Sequence, residues 1–344
     1  LYFGDAYSSG SITLDGDLVG FLEAVSRGLH RASPPGLLRR LLWRWQGRAR
    51  INNLSGSKEN IQTHYDIGND FYRLWLDEAA MQYTCAYYPS PAVDLETAQI
   101  AKLDHVCRKL RLKPDDTVVE AGSGWGGLAL HMAKAYGAKV RSYNISHEQI
   151  LYARERAEAL GLSDRVEFVE DDYRNIDGRY DVFVSVGMLE HVGVYNYRAL
   201  GEIIDRSLKP DGRGLIHTIG RNRARPMNPW IERRIFPGAY PPTLGEMTEI
   251  FEPRSFSILD VENIRLHYAR TLEQWLERFE DNVGPITEMY DPDFVRAWRL
   301  YLAGSIASFR TGTLQLFQVV FTRHENNVIP WTRDYIYQAE DHKL

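Results

Sequence analysis

The residues best suited to chemistry gather around one glycine-rich run, Glu120-Ala121-Gly122-Ser123-Gly124-Trp125-Gly126-Gly127. It follows the apolar stretch 117–119 and precedes the helical pattern 128–137. Glycines at such a point let the backbone approach a ligand closely, with the first N–H groups of the helix turned toward it. Downstream, Asn144 and Gln149 offer neutral amides, and Asp171-Asp172-Tyr173 places two carboxylates and a phenol after another strand pattern. Glu190-His191 invites a metal reading, but no second ligand pair stands at metal spacing, so no metal is expected.

The spacing separates two kinds of nucleotide-like ligand. A dinucleotide site wants an acidic residue about 20 positions beyond the glycines, to hold a ribose hydroxyl. Methyltransferases that use S-adenosylmethionine (SAM) usually place an acid there as well. Here the second strand ends in Asn144-Ile145-Ser146, a departure from both. Gly-x-Gly-x-Gly, with Glu120 two residues before the first glycine, fits the methyltransferase loop better. In that reading Asn144 and Gln149 take the place of the acid, and the 171–173 cluster faces an adenine.

The elements that must hold these residues alternate. Strand patterns opening at 117, at 138–146, at 165–172 and in 180–192, the last running into a loop, are separated by helical patterns, and 196–220 reads as a helix, a Gly/Pro turn and a fifth strand. Such alternation predicts a doubly wound, mostly parallel α/β sheet. Residues 61–110 read as helical, broken at "YTCAYYPSP"; helices are expected around 271–282 and 292–309, and a late strand at 313–323. Residues 1–57 form a small leading module, with short strands and a turn before a helix from about Asp17, and 58–344 form the main domain. Between Arg27 and Arg50 lie seven arginines and no acid, with Leu37, Leu38, Leu41, Leu42 and Trp45 on one helical face. That pattern suits either an anionic membrane surface or packing on the protein itself.

Composition sets outer bounds. The 344 residues carry a formal net charge of -5, which argues against bulk nucleic-acid binding. Two cysteines are too few for a disulfide framework, and neither a transmembrane run nor a signal peptide is visible, so a cytoplasmic setting is expected. The chain opens at Leu1 rather than Met, so preceding residues are expected to be missing.

Several segments together resemble the cyclopropane-fatty-acyl-phospholipid synthases and the related mycolic acid methyltransferases. They are "THYDIGNDFYRLWLD" (63–77), "MQYTCAYY" (81–88), "GSGWGG" (122–127), "VGMLEHVG" (186–193), "IHTIG" (216–220), "PWIERRIFPGAY" (229–240) and "HYARTLEQW" (267–275), in the family's order. The resemblance implies a class I SAM-dependent methyltransferase, a Rossmann-like doubly wound sheet with helical lid insertions and the small N-terminal module. It implies a SAM site including Tyr65, Tyr83, Thr84, Gly122, Gly124, Asn144, Gln149, Asp172 and Tyr173. It also implies a bound bicarbonate caged by Cys85, Glu190, His217, Ile219 and Tyr268. There Glu190 would accept from the bicarbonate hydroxyl, while His217, Tyr268 and the Ile219 N–H would donate to the anion. Taken singly, Cys85, His217 and Tyr268 read equally well as core residues. Ser123, Thr84 and Asn144 stand where the family commonly has Cys, Ser and Thr, which bears on fine positioning.

The implied chemistry is methyl transfer to the double bond of an unsaturated phospholipid acyl chain, followed by proton loss that closes a cyclopropane. Loss of a different proton would leave a methylated or methylene-bearing chain. A heteroatom methyltransferase is a further alternative. The expected setting is peripheral, on the inner face of a membrane, with Arg221, Arg223, Arg225, Arg233 and Arg234 near lipid phosphates and a homodimer possible through the leading module. Phe71, Tyr72, Trp75, Tyr87 and Tyr88 are expected to cover the SAM site.

Overall fold

The computed structural model describes residues 2–31 and 68–337. Tyr65, the basic Leu/Trp segment 37–48 and the polar linker 52–60 lie outside the described residues.

The described residues form a seven-stranded sheet ordered β3-β2-β1-β4-β5-β7-β6. The strands are β1 (Thr117–Ala121), β2 (Lys139–Asn144), β3 (Val166–Glu170), β4 (Tyr180–Val186), β5 (Leu208–Gly220), β6 (Phe256–Asn263) and β7 (Gln315–Arg323). The first five run parallel; β7 lies antiparallel between β5 and β6. The central strands are apolar because helices cover both faces: β1 and β4 bury nearly every side chain. The order turns between β1 and β4, and such a switch point leaves a crevice at the strands' carboxyl ends. The glycine run lies there, directly after β1.

The doubly wound, mostly parallel architecture agrees with the alternation in the sequence. The expected Gly/Pro turn at 209–214 is instead absorbed into β5. Tyr180 pairs with Leu208 and Val182 with Arg213, so the extra residues form a bulge rather than ending the strand. β6 carries no strong strand signal, since it is an edge strand with only part of its surface covered.

The amino terminus corrects the sequence reading more sharply. Tyr2–Ser8 is a helix, not a pair of short strands. Tertiary contact overrides the local aromatic pattern: a Cβ on Gly4 would overlap the Trp230 ring, so only glycine lets the helix seat there. Arg296 Nε donates to Tyr7 O at 2.6 Å, and its guanidinium lies 4.4 Å from the Tyr7 ring centroid. The helix expected from about Asp17 is present as Leu18–Arg31, its start held by Gly20 N–H donating to Asp17 Oδ1 at 2.9 Å. Both helices pack on Pro292–Arg310.

Three apolar clusters result. One lies under helices Leu95–Lys109, Gly127–Tyr136 and His147–Ala159; a second lies under Tyr197–Ser207 and Leu244–Phe251. The third is aromatic. It joins Phe71, Tyr72 and Trp75 to Trp275 of Arg265–Asp281 and Trp298 of Pro292–Arg310, and it reaches the glycine run through Trp125. Of the 61–110 stretch, Asn69–Arg73 and Leu95–Lys109 are helical, and 81–88 crosses this cluster as irregular chain.

Candidate active site

A cavity of about 1030 Å³, counting its open mouth, sits at the β1/β4 switch point. Tyr83, Thr84, Gly122, Gly124, Asn144, Gln149, Asp172 and Tyr173 all line it, so every described residue assigned to SAM from the sequence converges there. Gln82, Trp125, Met188 and His191 join them without having been assigned to SAM. Of the aromatic residues expected to cover the site, Phe71, Tyr72 and Trp75 are fully buried, with Tyr72 packed on the lining residue Trp125 at a ring-centroid distance of 5.0 Å.

Backbone constraints make the cradle. Gly122 has φ 94°, and a Cβ there would stand 3.1 Å from Met188 Cβ. Trp125 Nε1 donates to Asn69 Oδ1 at 2.7 Å, tying the loop to the Asn69–Arg73 helix. Asn144 uses its amide to shape the loop: Nδ2 donates to Gly124 O (3.2 Å) and to Gln149 Oε1 (2.8 Å), while Oδ1 accepts from Ser146 N–H (3.1 Å). Asp172 accepts from Arg174 N–H at 2.9 Å and pairs with its guanidinium at 3.0 Å. The Tyr173 hydroxyl is buried with no hydrogen bond of good geometry, the Arg174 guanidinium lies beside its ring, and burial pushes its pKa up to about 12, so it stays a neutral donor. Glycine-bounded open space, a carboxylate below it and a neutral donor beside it fit SAM.

A buried polar layer backs this wall. Lys102, fully buried, donates to Gln82 Oε1 and to Thr84 Oγ1 (2.9 Å), two lining residues. Asp77 accepts from Ala80 N–H (2.7 Å) and Gln82 N–H (2.8 Å), and Gln99 Nε2 donates to Thr84 O (2.9 Å). Desolvation lowers Lys102 to about 8, against the pull of Asp77, Cys85 and Glu120. Desolvation likewise raises Glu120 to about 7, although Ser142 Oγ donates to it. Lys102→Met removes the cation that fixes Gln82 and Thr84. It is expected to raise the Kd for SAM about tenfold in a calorimetric titration. An unchanged Kd would mean that the wall holds without it.

None of the residues assigned to an anion cage lines the cavity itself; Glu190 and Ile219 are joined by a hydrogen bond, and Cys85, Ile219 and Tyr268 belong to one apolar cluster. Glu190 lies on Leu189–Val192, a helix whose His191 and Val192 line the cavity. Cys85 follows Thr84, and Tyr268 faces the same aromatic cluster as Cys85 and Ile219. The 85–88 chain is fastened to Arg265–Asp281: Ala86 N–H donates to Thr271 Oγ1 (3.0 Å) and Tyr88 N–H to His267 Nδ1 (2.9 Å). One implied donor is differently engaged, because Ile219 N–H gives its hydrogen to Glu190 Oε1 at 2.6 Å. Glu190 Oε2 and His217 Nε2 are buried with no hydrogen bond of good geometry, although the Thr218 side chain lies close enough to Glu190 to favour its charged form. Burial pushes Glu190 up to about 7 and His217 down to about 3, so His217 is neutral. Burial also pushes the Cys85 thiol well up, so it stays a thiol. An acceptor and a neutral imidazole edge are the kinds of group that a small protonated oxyanion such as bicarbonate would need.

Of the arginines proposed for phosphate, Arg221 is turned inward, donating to Arg225 O (2.5 Å) and Pro226 O (3.2 Å). Arg234 pairs with Asp5 at 3.1 Å; Arg223 and Arg233 are exposed.

Residues 53–319 match the family model described as mycolic acid cyclopropane synthetase. The cyclopropane-fatty-acyl-phospholipid synthase of Escherichia coli K12 is 41% identical over 283 residues, covering 81% of this chain and 72% of that protein. A probable fatty acid methyltransferase of Pseudomonas putida is 35% identical over 352 residues, covering 97% and 86%. The mycolic acid cyclopropane synthase CmaA1, solved with SAH and CTAB, superposes with a TM-score of 0.73 at 29% identity, covering 77% of this chain and 97% of that one. Ordered motifs, a SAM-shaped cavity at the switch point and these matches agree: the chain belongs to the mycolic acid cyclopropane synthetase family and is a SAM-dependent methyltransferase.

Proposed function

We propose that this enzyme adds a methylene unit to the double bond of an unsaturated phospholipid acyl chain, producing a cyclopropane. The observation that carries the reading is the pair Glu190 Oε2 and His217 Nε2, both buried with no hydrogen bond of good geometry, Glu190 on a helix that lines the SAM cavity and His217 paired across the sheet with Val186, a lining residue of β4. The name of the Escherichia coli relative supports the product class.

SAM, when bound, supplies an electrophilic methyl group. The alkene's π pair would form the new C–C bond to that methyl as its bond to sulfur breaks, the pair staying on sulfur, which leaves a cation on the acyl chain. A C–H pair of the added methyl then closes the ring, and its proton leaves to a base. A bicarbonate held between Glu190 and His217 would supply that base and place negative charge beside the cation. The protein's own part is alignment and exclusion of water. Tyr83, Phe236, Trp275 and Tyr301 form the aromatic wall: Tyr83 and Tyr301 hydroxyls hydrogen-bond at 2.9 Å, and ring centroids are 5.4 Å apart for Tyr83–Trp275 and Phe236–Tyr301. Access to such a chain requires peripheral contact with a bilayer, and the exposed Arg223 and Arg233 suit lipid phosphates. No helix among the described residues is long and apolar enough to cross a membrane.

The name of the Pseudomonas putida relative favours a second reading, in which the same cation leaves a methyl branch without a ring. Methyl-deuterated SAM and vesicles of a monounsaturated anionic phospholipid separate the two. A cyclopropane keeping two deuteriums, formed faster with added bicarbonate, is expected by mass spectrometry and NMR. A branch keeping three deuteriums would overturn ring closure, and unlabelled lipid would overturn the acyl substrate.

A further inference from the structure

His217 is caught between two neighbours of unlike kind. Its Nε2 is the orphaned atom of the proposed anion cage, whereas Nδ1 stands 3.1 Å from Gln318 Nε2. The two residues are directly paired across β5 and β7, and Gln318 is paired in turn with Glu262 on β6. Directly opposed residues project from the same face of a sheet. His217, Gln318 and Glu262 therefore form a row across three strands.

The row changes character from one end to the other. Glu262 is held in a charged cluster: Oε2 lies 2.7 Å from His105 Nε2 and 2.7 Å from Lys109 Nζ, both nitrogens on fully buried side chains of Leu95–Lys109. At the other end His217 stays uncharged. Gln318 stands between them, with no exposed surface, in a strand whose neighbours Phe317, Val319 and Val320 are apolar. A glutamine is costly there unless its amide is used; Nε2 is engaged with His217, and Oε1 is buried without a partner.

A side-chain amide nitrogen only donates. Facing it, Nδ1 must present its lone pair, so the single ring proton of a neutral imidazole resides on Nε2. We propose that Gln318 is a positioning residue that holds His217 in the Nε2–H tautomer, turning its free edge into a donor aimed at the cage. This deepens the bicarbonate reading and rests on it only for its consequence. The tautomer itself is a property of the protein alone. A carboxylate at 318 would accept from Nδ1–H and move the proton to the wrong side; an apolar residue would let both tautomers mix.

The test is ¹⁵N NMR of histidine-labelled protein without bicarbonate, with His217 assigned from a His217→Asn sample. The wild type is expected to show a protonated Nε2 and a lone-pair Nδ1, Gln318→Leu an averaged pair, and Gln318→Glu the reverse. Gln318→Leu is further expected to raise the KM for bicarbonate about tenfold while kcat at saturation falls less than about threefold. The SAM Kd, unchanged by calorimetry, shows that the variant is folded. An Nδ1–H signal in the wild type would overturn the proposal, as would Gln318→Leu with unaltered ring shifts. The spectrum of the wild type suffices should either variant fail to fold. An enzyme indifferent to bicarbonate that still shows the expected tautomer would overturn the proposed base while upholding the role of Gln318.

Discussion

Glu190→Gln is expected to lower kcat about 10²–10³-fold while the Kd for SAM stays within about twofold. The substitution is nearly isosteric. The amide oxygen can still accept from Ile219 N–H, the 2.6 Å bond that joins Leu189–Val192 to β5, so the fold should persist. What changes is the second oxygen. Oε2, buried with no hydrogen bond of good geometry, becomes an NH₂ group that can only donate, and the negative charge disappears. A bicarbonate hydroxyl would then meet a donor where it needs an acceptor.

The pH dependence carries the same signature. Burial raises Glu190 from 4.5 to about 7 despite the Ile219 hydrogen bond. If the carboxylate form is the working one, wild-type kcat at saturating SAM and fixed bicarbonate concentration rises with pH through about 7. The variant should lose that limb. The stability effect has the opposite sign. Between about pH 4.5 and 7 the folded protein binds more protons at Glu190 than the unfolded chain does, so this group's contribution falls as pH rises through that window. Glu120 is also raised to about 7, but it lines the SAM cavity, so its titration belongs in the SAM Kd rather than in kcat at saturation. Steady-state kinetics across pH 5.5–8.5 (a range of about three units around the raised carboxyl) make the comparison. A Glu190→Gln enzyme with wild-type kcat would refute the cage.

Gly127→Ala is expected to weaken SAM binding about 10–100-fold and to lower the melting temperature by a few degrees, as overpacking of about 1–3 kcal/mol would do. A Cβ at 127 would overlap the Ala80 carbonyl oxygen and approach Gln82 Nε2 at 2.5 Å. Neither neighbour can readily move. Asp77 holds the N–H groups of Ala80 and Gln82, and Lys102 holds the Gln82 side chain. The added methyl must therefore push the glycine loop away from the wall it forms with 81–84. Gly284→Ala is the control, because its Cβ would meet open space. Calorimetry and thermal melts of the two variants decide the matter; equal SAM affinity would show that the loop and the wall move independently.

The locations of the functional residues were more legible than their engagements. The glycine run, Asn144 and Asp172 could be placed because strand–loop–helix order puts them at the carboxyl edge of a parallel sheet whatever the remaining packing is. Lys102 left a readable trace: it lies on the inward face of Leu95–Lys109 with Ala98, Leu103 and Val106, where a lysine is costly unless paired. Gln318 left a similar trace inside an apolar strand. Neither trace names its partner, since Gln82 and Thr84 come from an irregular segment and His217 from another strand. The amino-terminal helix was misread because Tyr2–Ser8 has a strand-like aromatic texture, and its true form depends on Trp230 and Arg296, more than 200 residues away.

Local pattern alone determined the alternating α/β layout and the glycine-rich crevice after β1, while the fuller SAM set that includes Tyr83 and Thr84 came from the family resemblance. Periodicity and glycine spacing act over a few residues and survive without the rest of the fold. Only the tertiary structure decided that Ile219 N–H serves Glu190, that Arg221 turns inward, and that Glu190 Oε2 and His217 Nε2 remain without a hydrogen bond of good geometry. Each of those outcomes depends on which distant groups compete for one hydrogen bond in a space closed to water, and that competition is settled by packing.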